Sequence, residues 1–313
     1  MSAVCMRLFD LHCDTLFECV KYDCSIMHNA CHVDMERGKS FSPWYQCFAA
    51  WVRDKTPPQT AAAQIETMLR RAYAFEAAHP DAFHVLQSGA ELAFSPPAAC
   101  TAILTVENCK MDEKITVGSL PQSWIDAGVK MISLTWDGEN AWAQGCRGDP
   151  RCGLTASGRE AVRQMETRHI LPDAAHLNRR GFWELLEVTA RPIVVSHTAS
   201  AMLHPIARNL TDAQFCAVRE RGGLVGLSLC PEHLGAPTLS RMIAHLEQFL
   251  SLGGEKTVAL GCDLDGIEIP TAFGGIRVLE TLYEQLLKRN YAESLADDIF
   301  FRNAYRFFTK QYI

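Results

Sequence analysis

The segment Leu8-Phe9-Asp10-Leu11-His12-Cys13-Asp14-Thr15 sets an imidazole and a carboxylate one residue apart at the end of a short apolar run. If that run is a β-strand, its period of two turns His12 and Asp14 to one face, which in a barrel is the interior. Two such donors at a barrel mouth would begin a divalent-metal site. Taken alone, the pair reads equally well as a helix cap and a strand-end histidine. Four more apolar runs end alike. Thr105-Val106-Glu107 finishes in a carboxylate, Pro172 to His176 and Val194 to His197 finish in histidines, and Gly261 to Gly266 carries Asp263 and Asp265. Polar groups at the same end of five strands point to one metal centre. His12, Asp14, Glu107, His176 and His197 supply enough nitrogen and oxygen ligands for two ions sharing a bridging carboxylate. Such a pair polarises a carbonyl and generates hydroxide at neutral pH. Without thiolate, the set suits zinc, manganese or cobalt.

These donors need a frame that brings strand ends together. Short apolar runs alternate with longer amphipathic stretches, as in βα units. The expected strands are Arg7–Leu11, Gln46–Val52, Ala102–Val106, Lys130–Leu134, His169–Pro172, Pro192–Ser196, Leu224–Leu229 and Thr257–Gly261. Most are continuously apolar, as buried parallel strands are. Expected helices cover Pro58–His79, Gly158–Arg168, Arg180–Val188, Thr211–Arg221, Thr238–Leu252 and Gly275–Lys288, with caps at Thr211 and Thr238 and stops at Gly222-Gly223 and Gly253-Gly254. Tyr22–Pro43 reads as a long polar loop. The expected fold class is α/β, a (β/α)8 TIM barrel of the metal-dependent hydrolase type, with residues 1–313 as a single domain.

Composition narrows the function. Of 313 residues, 48% are hydrophobic and 21% charged, so the core needs no metal or disulfide as a staple. The formal net charge of -6, with no basic tract, gives no footprint for nucleic acid. Thirteen scattered cysteines without a C-x-x-C pair read as free thiols in a reducing compartment. Met1 to Asp10 runs straight into a strand with no secretory pattern, no apolar stretch would span a bilayer, and Arg306 to Ile313 lacks a lipid-anchor tail. A cytoplasmic location without membrane attachment is therefore expected.

Together, Asp-x-His-x-Asp-Thr at Asp10–Thr15, Gly153-Leu154-Thr155 before a helix, Asp173-x-x-His176, Ser196-His197 and Gly261-x-Asp263-x-Asp265-Gly266 resemble the membrane (renal) dipeptidase family of zinc metallopeptidases. The resemblance runs from about Asp10 to Gly266. It implies that His12 and Asp14 hold one zinc, that His176 and His197 hold the other, and that Glu107 bridges them. A hydroxide between the two would attack the peptide carbonyl. Asp263 matches the family's acid/base residue. Arg208, in His204-Pro205-Ile206-Ala207-Arg208-Asn209, matches the arginine that grips the substrate's free carboxylate, a task suited to a guanidinium fork. The implied substrate is a dipeptide, including ones with a C-terminal D-residue, and family members commonly form homodimers.

Two positions depart from the family. Where its members often have Leu-Thr-His, this chain has Leu134-Thr135-Trp136; an indole donates one hydrogen bond and cannot become cationic. Trp136, with Asn140 or Trp142 beside it, is therefore expected to shape the substrate pocket differently. The bridging glutamate is often followed by glycine, but here Glu107 precedes Asn108 and Cys109. These departures leave open hydrolysis of another small amide or a lactone, or a catalytically weak metal- or peptide-binding role. Cys19, Cys24, His28 and His32 have zinc-finger residue types, but Cys24 and His28 are too close for that module. Cys13 and Cys109 are expected to pack away from the site, and His233 could reach the mouth from a βα loop.

Overall fold

The computed structural model describes residues 6–93, 96, 98–110 and 119–312. The start of the Met1–Asp10 run, Cys5 and Ile313 lie outside the described residues. Its strands are β1 (Met6–Cys13), β2 (Phe41–Trp51), β3 (Phe83–Val85), β4 (Cys100–Glu107), β5 (Met131–Ser133), β6 (Leu171–Asp173), β7 (Val194–Thr198), β8 (Leu224–Leu227) and β9 (Val258–Leu260). They are hydrogen-bonded in the order β2-β1-β9-β8-β7-β6-β5-β4-β3, and β2 also pairs with β4, from Trp44 opposite Cys100 to Trp51 opposite Glu107. That pairing closes an eight-stranded parallel barrel. The expected TIM barrel is the fold observed, and each of the eight expected strands is present. The additional β3 is three residues long. It occupies the start of the β4 edge that β5 takes further along.

Two apolar layers account for the architecture. Phe9, Leu11, Tyr45, Ile103, Met131, Leu171, Val194, Leu224 and Ala259 fill the lower barrel interior, with Phe301 and Phe308 packed among them. The interior is thus a packed core, floored by the C-terminal helix Asn303–Tyr312. The second layer lies between strands and outer helices and includes Leu8, Phe48, Leu104, Val195, Phe215 and Phe249. The long helix Pro58–Ala78 belongs to it through Ile65, Met68 and Leu69. Among the described residues no helix is long and apolar enough to cross a membrane.

Side-chain alternation is broken where the site needs it. Phe9 and Leu11 face the interior, yet Cys13 packs in the outer layer. Between Asp10 and Cys13, β1 advances three residues while β2 advances two, from Gln46 to Phe48. The extra residue is a bulge, which re-aims the strand and turns His12 inward. β7 repeats the device: Val195 to Thr198 spans three residues against Val225 to Leu227 in β8. Val194 faces inward and Val195 outward, so regular alternation would turn His197 out. β4 needs no bulge, because Ile103, Thr105 and Glu107 share a face.

The helix signals at Thr211 and Thr238 are real caps. Thr211 forms a full capping box with Gln214, and Thr238 accepts from Arg241 N–H. Tyr22–Pro43 corrects the expectation of a single loop. It contains the helical turn Met35–Gly38, capped by Asp34, and β2 begins inside it at Phe41. The helix Thr15–Tyr22 was hidden behind the His12–Asp14 motif.

Gly226 and Gly261 mark where three strand backbones crowd around the β7 bulge. A Cβ at either would lie 1.8 Å from the Ser196 carbonyl oxygen. Gly222, at φ +67° with open space around it, has only a conformational reason to be glycine. Gly226→Ala is therefore expected to lower stability in urea unfolding by about 2 kcal/mol or more. Gly222→Ala is expected to cost about 1 kcal/mol. Equal losses would contradict the close backbone approach.

Candidate metal centre

Above the apolar floor sits a polar layer centred on Glu107. Its Oε2 lies 3.1 Å from His12 Nε2, and its Oε1 lies 2.7 Å from His176 Nε2 and 4.0 Å from His197 Nε2. Each carboxylate oxygen thus addresses a different donor group. His12, Asp14 and Glu107 form one cluster with ligand atoms within 4.8 Å of one another, and Glu107, His176 and His197 form a second. His176 Nε2 and His197 Nε2 converge to 2.9 Å, and the His12 ring lies 3.9 Å from the His197 ring. All five side chains are buried. Among the described residues Asp14 Oδ1 has no hydrogen-bond partner, which fits an acceptor meant for a cation. The donor set of imidazole and carboxylate suits zinc.

The histidines are held from behind, as metal ligands usually are. His197 Nδ1 lies 2.9 Å from Ser196 Oγ, and that hydroxyl donates to Asp173 Oδ2. The Ser196 hydroxyl therefore accepts from Nδ1–H, which leaves the Nε2 lone pair facing the site. Asp173 also accepts from Ala175 N–H, Ser196 N–H and the Ser133 hydroxyl, tying β5, β6 and β7 together. His176 Nδ1 meets Asp137 Oδ1 at 2.9 Å. Asp10 accepts from Cys262 N–H and from the Gln46 amide, fastening β1 to β9 and β2. Asp265 turns away from the centre, accepting from the Thr15 hydroxyl at 2.6 Å and from the His32 N–H. Gly266 lies beneath both carboxylates of the mouth: a Cβ there would be 2.2 Å from Asp14 Oδ2 and 2.5 Å from Asp263 Oδ1.

Protonation follows the same network. Burial alone would lower the His12 pKa, but the Glu107 and Asp14 carboxylates outweigh it and hold it well above the usual value. Burial and Arg208 oppose protonation of His176, yet Glu107 and Asp137 raise it to about 10. His197 goes the other way: burial, His12 and Arg208 hold it well below the usual value. Burial would raise Glu107, but His176 and His12 keep it ionised. Burial, reinforced by Asp14 and Glu107 against the opposing His12, raises Asp263 to about 7.

The remaining expected residues surround this centre. Asp263 Oδ1 lies 3.8 Å from His12 Nε2. Arg208 donates from Nη2 to the His197 carbonyl at 2.8 Å, while its buried Nε has no partner among the described residues. Trp136 stands 6.3 Å from the His176 ring and edge-on to Trp51, which meets Phe17 in turn. Asn140 uses its whole amide on the protein. It donates to Leu134 O and Asn108 Oδ1 and accepts from Trp142 N–H and Ala143 N–H. It therefore shapes the loop after β5 through the backbone. Cys13 and Cys109 are buried in the outer apolar layer. Sequence reasoning missed Asp137, although it follows Trp136 at a strand end, the signal that singled out Glu107. It also underweighted His233, which is buried and stacked 6.4 Å from the His197 ring.

The family model for membrane dipeptidase (peptidase family M19) matches residues 3–312. The chain belongs to this family of metallopeptidases. An uncharacterised protein in the pqqA 5' region of Klebsiella pneumoniae is 29% identical over 230 residues, covering 65% of this chain and 85% of that protein. A metallopeptidase of Rhodobacter sphaeroides, solved with a phosphinate mimic of the dipeptide L-Ala-D-Ala, superposes with TM-score 0.87 at 21% identity, over 98% of this chain and 99% of that one. Dipeptidase AC, an M19 metallopeptidase, does so with TM-score 0.87 at 23% identity and the same coverage. At these identities the two structures support the barrel fold.

A metal ion held by His12 and His176 would have to displace the protons their raised pKa values retain. Binding is therefore expected to release protons, and zinc affinity to fall as pH is lowered. Calorimetry in buffers of different ionisation enthalpy measures the release; buffer-independent heats would contradict it. If His176 is a ligand, Asp137→Asn is expected to weaken zinc binding by roughly 10–100-fold, measured by competition with a chelator, because it loosens the His176 Nδ1 contact.

Proposed function

We propose that the chain hydrolyses dipeptides bearing a free C-terminal carboxylate at a two-zinc centre held by His12, Asp14, Glu107, His176 and His197. The observation that carries this reading is the division of labour within Glu107, whose two oxygens face separate donor groups. Two divalent ions held there would polarise the scissile carbonyl and acidify a water molecule.

The protein groups supply the rest. Asp263, at the rim of the cluster, takes the proton from the attacking water and passes it to the leaving amine nitrogen. Arg208 is anchored by one nitrogen on the His197 carbonyl, and the remaining N–H groups of its guanidinium fork can meet the substrate carboxylate. Because that anchor is fixed relative to the centre, chain length is limited to two residues. The ring chain of Trp136, Trp51 and Phe17 beside His176 would give the pocket an apolar wall, and Asn140 would set it indirectly by bracing the loop. The L-Ala-D-Ala mimic bound by the Rhodobacter sphaeroides protein supports including C-terminal D-residues among the substrates.

The test is hydrolysis by the zinc-loaded chain of L-L and L-D dipeptides and matched tripeptides. Dipeptides are expected to be cleaved and tripeptides spared. Asp263→Asn should cut kcat by about 10²–10⁴-fold while leaving the two zinc ions on the five proposed ligands in place. Arg208→Ala should lower kcat/KM by roughly 10–100-fold, mainly through KM. Cleavage of tripeptides at comparable rates would remove the clamp. Zinc-loaded protein that cleaves no dipeptide would move the activity to another small amide or a lactone.

A further inference from the structure

Beside the five proposed ligands lies a donor set of different chemistry. Cys230, His233 and Asp263 offer a thiol, an imidazole and a carboxylate whose ligand atoms lie within 4.8 Å of one another, and all three are buried. Cys230 and His233 come from the short helix Pro231–Leu234 that follows β8, Cys230 being its N-cap. Asp263 comes from the turn after β9.

This set is braced. Ser228 Oγ accepts from Cys230 N–H at 2.9 Å and lies 3.1 Å from His233 Nδ1. With Nδ1 so engaged, Nε2 is the nitrogen free to bind. A hydroxyl behind a histidine is the support that metal ligands commonly have. The helix is also pinned from outside: the His233 carbonyl accepts from the Asn209 amide, and the Leu234 carbonyl accepts from Arg241. Neither Cys230 nor His233 has a task in the proposed hydrolysis.

We propose that Cys230, His233 and Asp263 form a further divalent-metal site, selective for thiophilic ions such as zinc, and that its occupation blocks turnover. Three protein ligands of sulfur, nitrogen and oxygen suit tetrahedral zinc with one open position, whereas magnesium and calcium avoid thiolate. Binding releases the thiol proton to solvent. Since the ion takes the Asp263 carboxylate, it removes the proton carrier; this inhibitory part rests on the proposed function, whereas the site itself does not.

Cobalt separates the two parts. The metal-free full chain is titrated with Co²⁺ while the near-ultraviolet thiolate-to-cobalt charge-transfer band is followed. The proposed pair contains no thiolate and gives no such band, so a band reports a thiolate ligand outside the pair however many ions the pair holds, and its loss in Cys230→Ser assigns that ligand to the new site. The wild-type chain is expected to develop it and Cys230→Ser to lose it. His233→Gln should require at least about tenfold more cobalt for the same band. Absence of the band would overturn the proposal. So would a band that survives in Cys230→Ser but disappears in Cys24→Ser, whose sulfur lies 3.5 Å from Cys19 Sγ and 4.0 Å from Cys31 Sγ. For inhibition, excess zinc should suppress wild-type dipeptide cleavage at concentrations at least about tenfold lower than it does Cys230→Ser. Equal sensitivity would overturn the inhibitory role. A chain inactive on all dipeptides would still show the cobalt band, which distinguishes failure of the hydrolytic reading from failure of the site.

Discussion

An ionised carboxylate on the axis of a barrel is the constraint around which the mouth is arranged. Glu107 is 2% exposed, and a buried charge of that kind costs several kcal/mol unless partners replace its water. His12 and His176 are those partners, and each must itself be held. Asp137 fixes His176, while Asp173 acts on His197 through Ser196. The apolar plug of Phe9, Leu11, Ile103 and Leu224 just below excludes water from the underside. A polar layer of this density is tolerable because nearly every member is satisfied, and Asp14 Oδ1 stands out as an acceptor that is not.

Backbone irregularity is concentrated where chemistry is expected. Asn108, His176, Asp263 and Asp265 all have positive φ, a conformation that costs a non-glycine residue about 1–2 kcal/mol. Asn108 explains a departure from the family pattern. At φ +67° glycine would be the simplest choice after Glu107, and asparagine is among the few side chains that tolerate this region. Its amide then links Val52 and Asp54 beyond β2, and its carbonyl accepts from Asn140 after β5. Three loops of the mouth are joined by one side chain.

The barrel was legible because its strands are continuous apolar runs, and its helices because Thr211 and Thr238 are ordinary caps. β3 is too short to carry a period, and the floor helix Asn303–Tyr312 mixes polar and aromatic residues without a clear boundary signal. At the site, residue types at strand ends were legible. Side-chain direction was only partly so: His12 and His197 face inward through extra residues in β1 and β7, which strict alternation does not foresee. Asn140 illustrates another limit. Its position in the loop could be read, but the four hydrogen bonds that occupy it depend on tertiary packing.

The pairing of β1 with β9 also governs the order of events during synthesis. Asp263 N–H donates to the His12 carbonyl, Asp14 N–H donates to Leu264, and Asp265 reaches Thr15 across 250 positions of chain. The ribosome therefore releases His12 and Asp14 long before the residues that fix their directions exist. A nascent chain lacking β9 carries the five proposed ligands with the ring still open, so selective ion capture has to wait for the last strand to dock. Such long-range closure is slow compared with helix formation. Under the proposed zinc-dependent reading, the early histidines and the scattered thiols would both be open to free zinc until then, which would tie correct loading to the cell's control of free metal while the chain is being made.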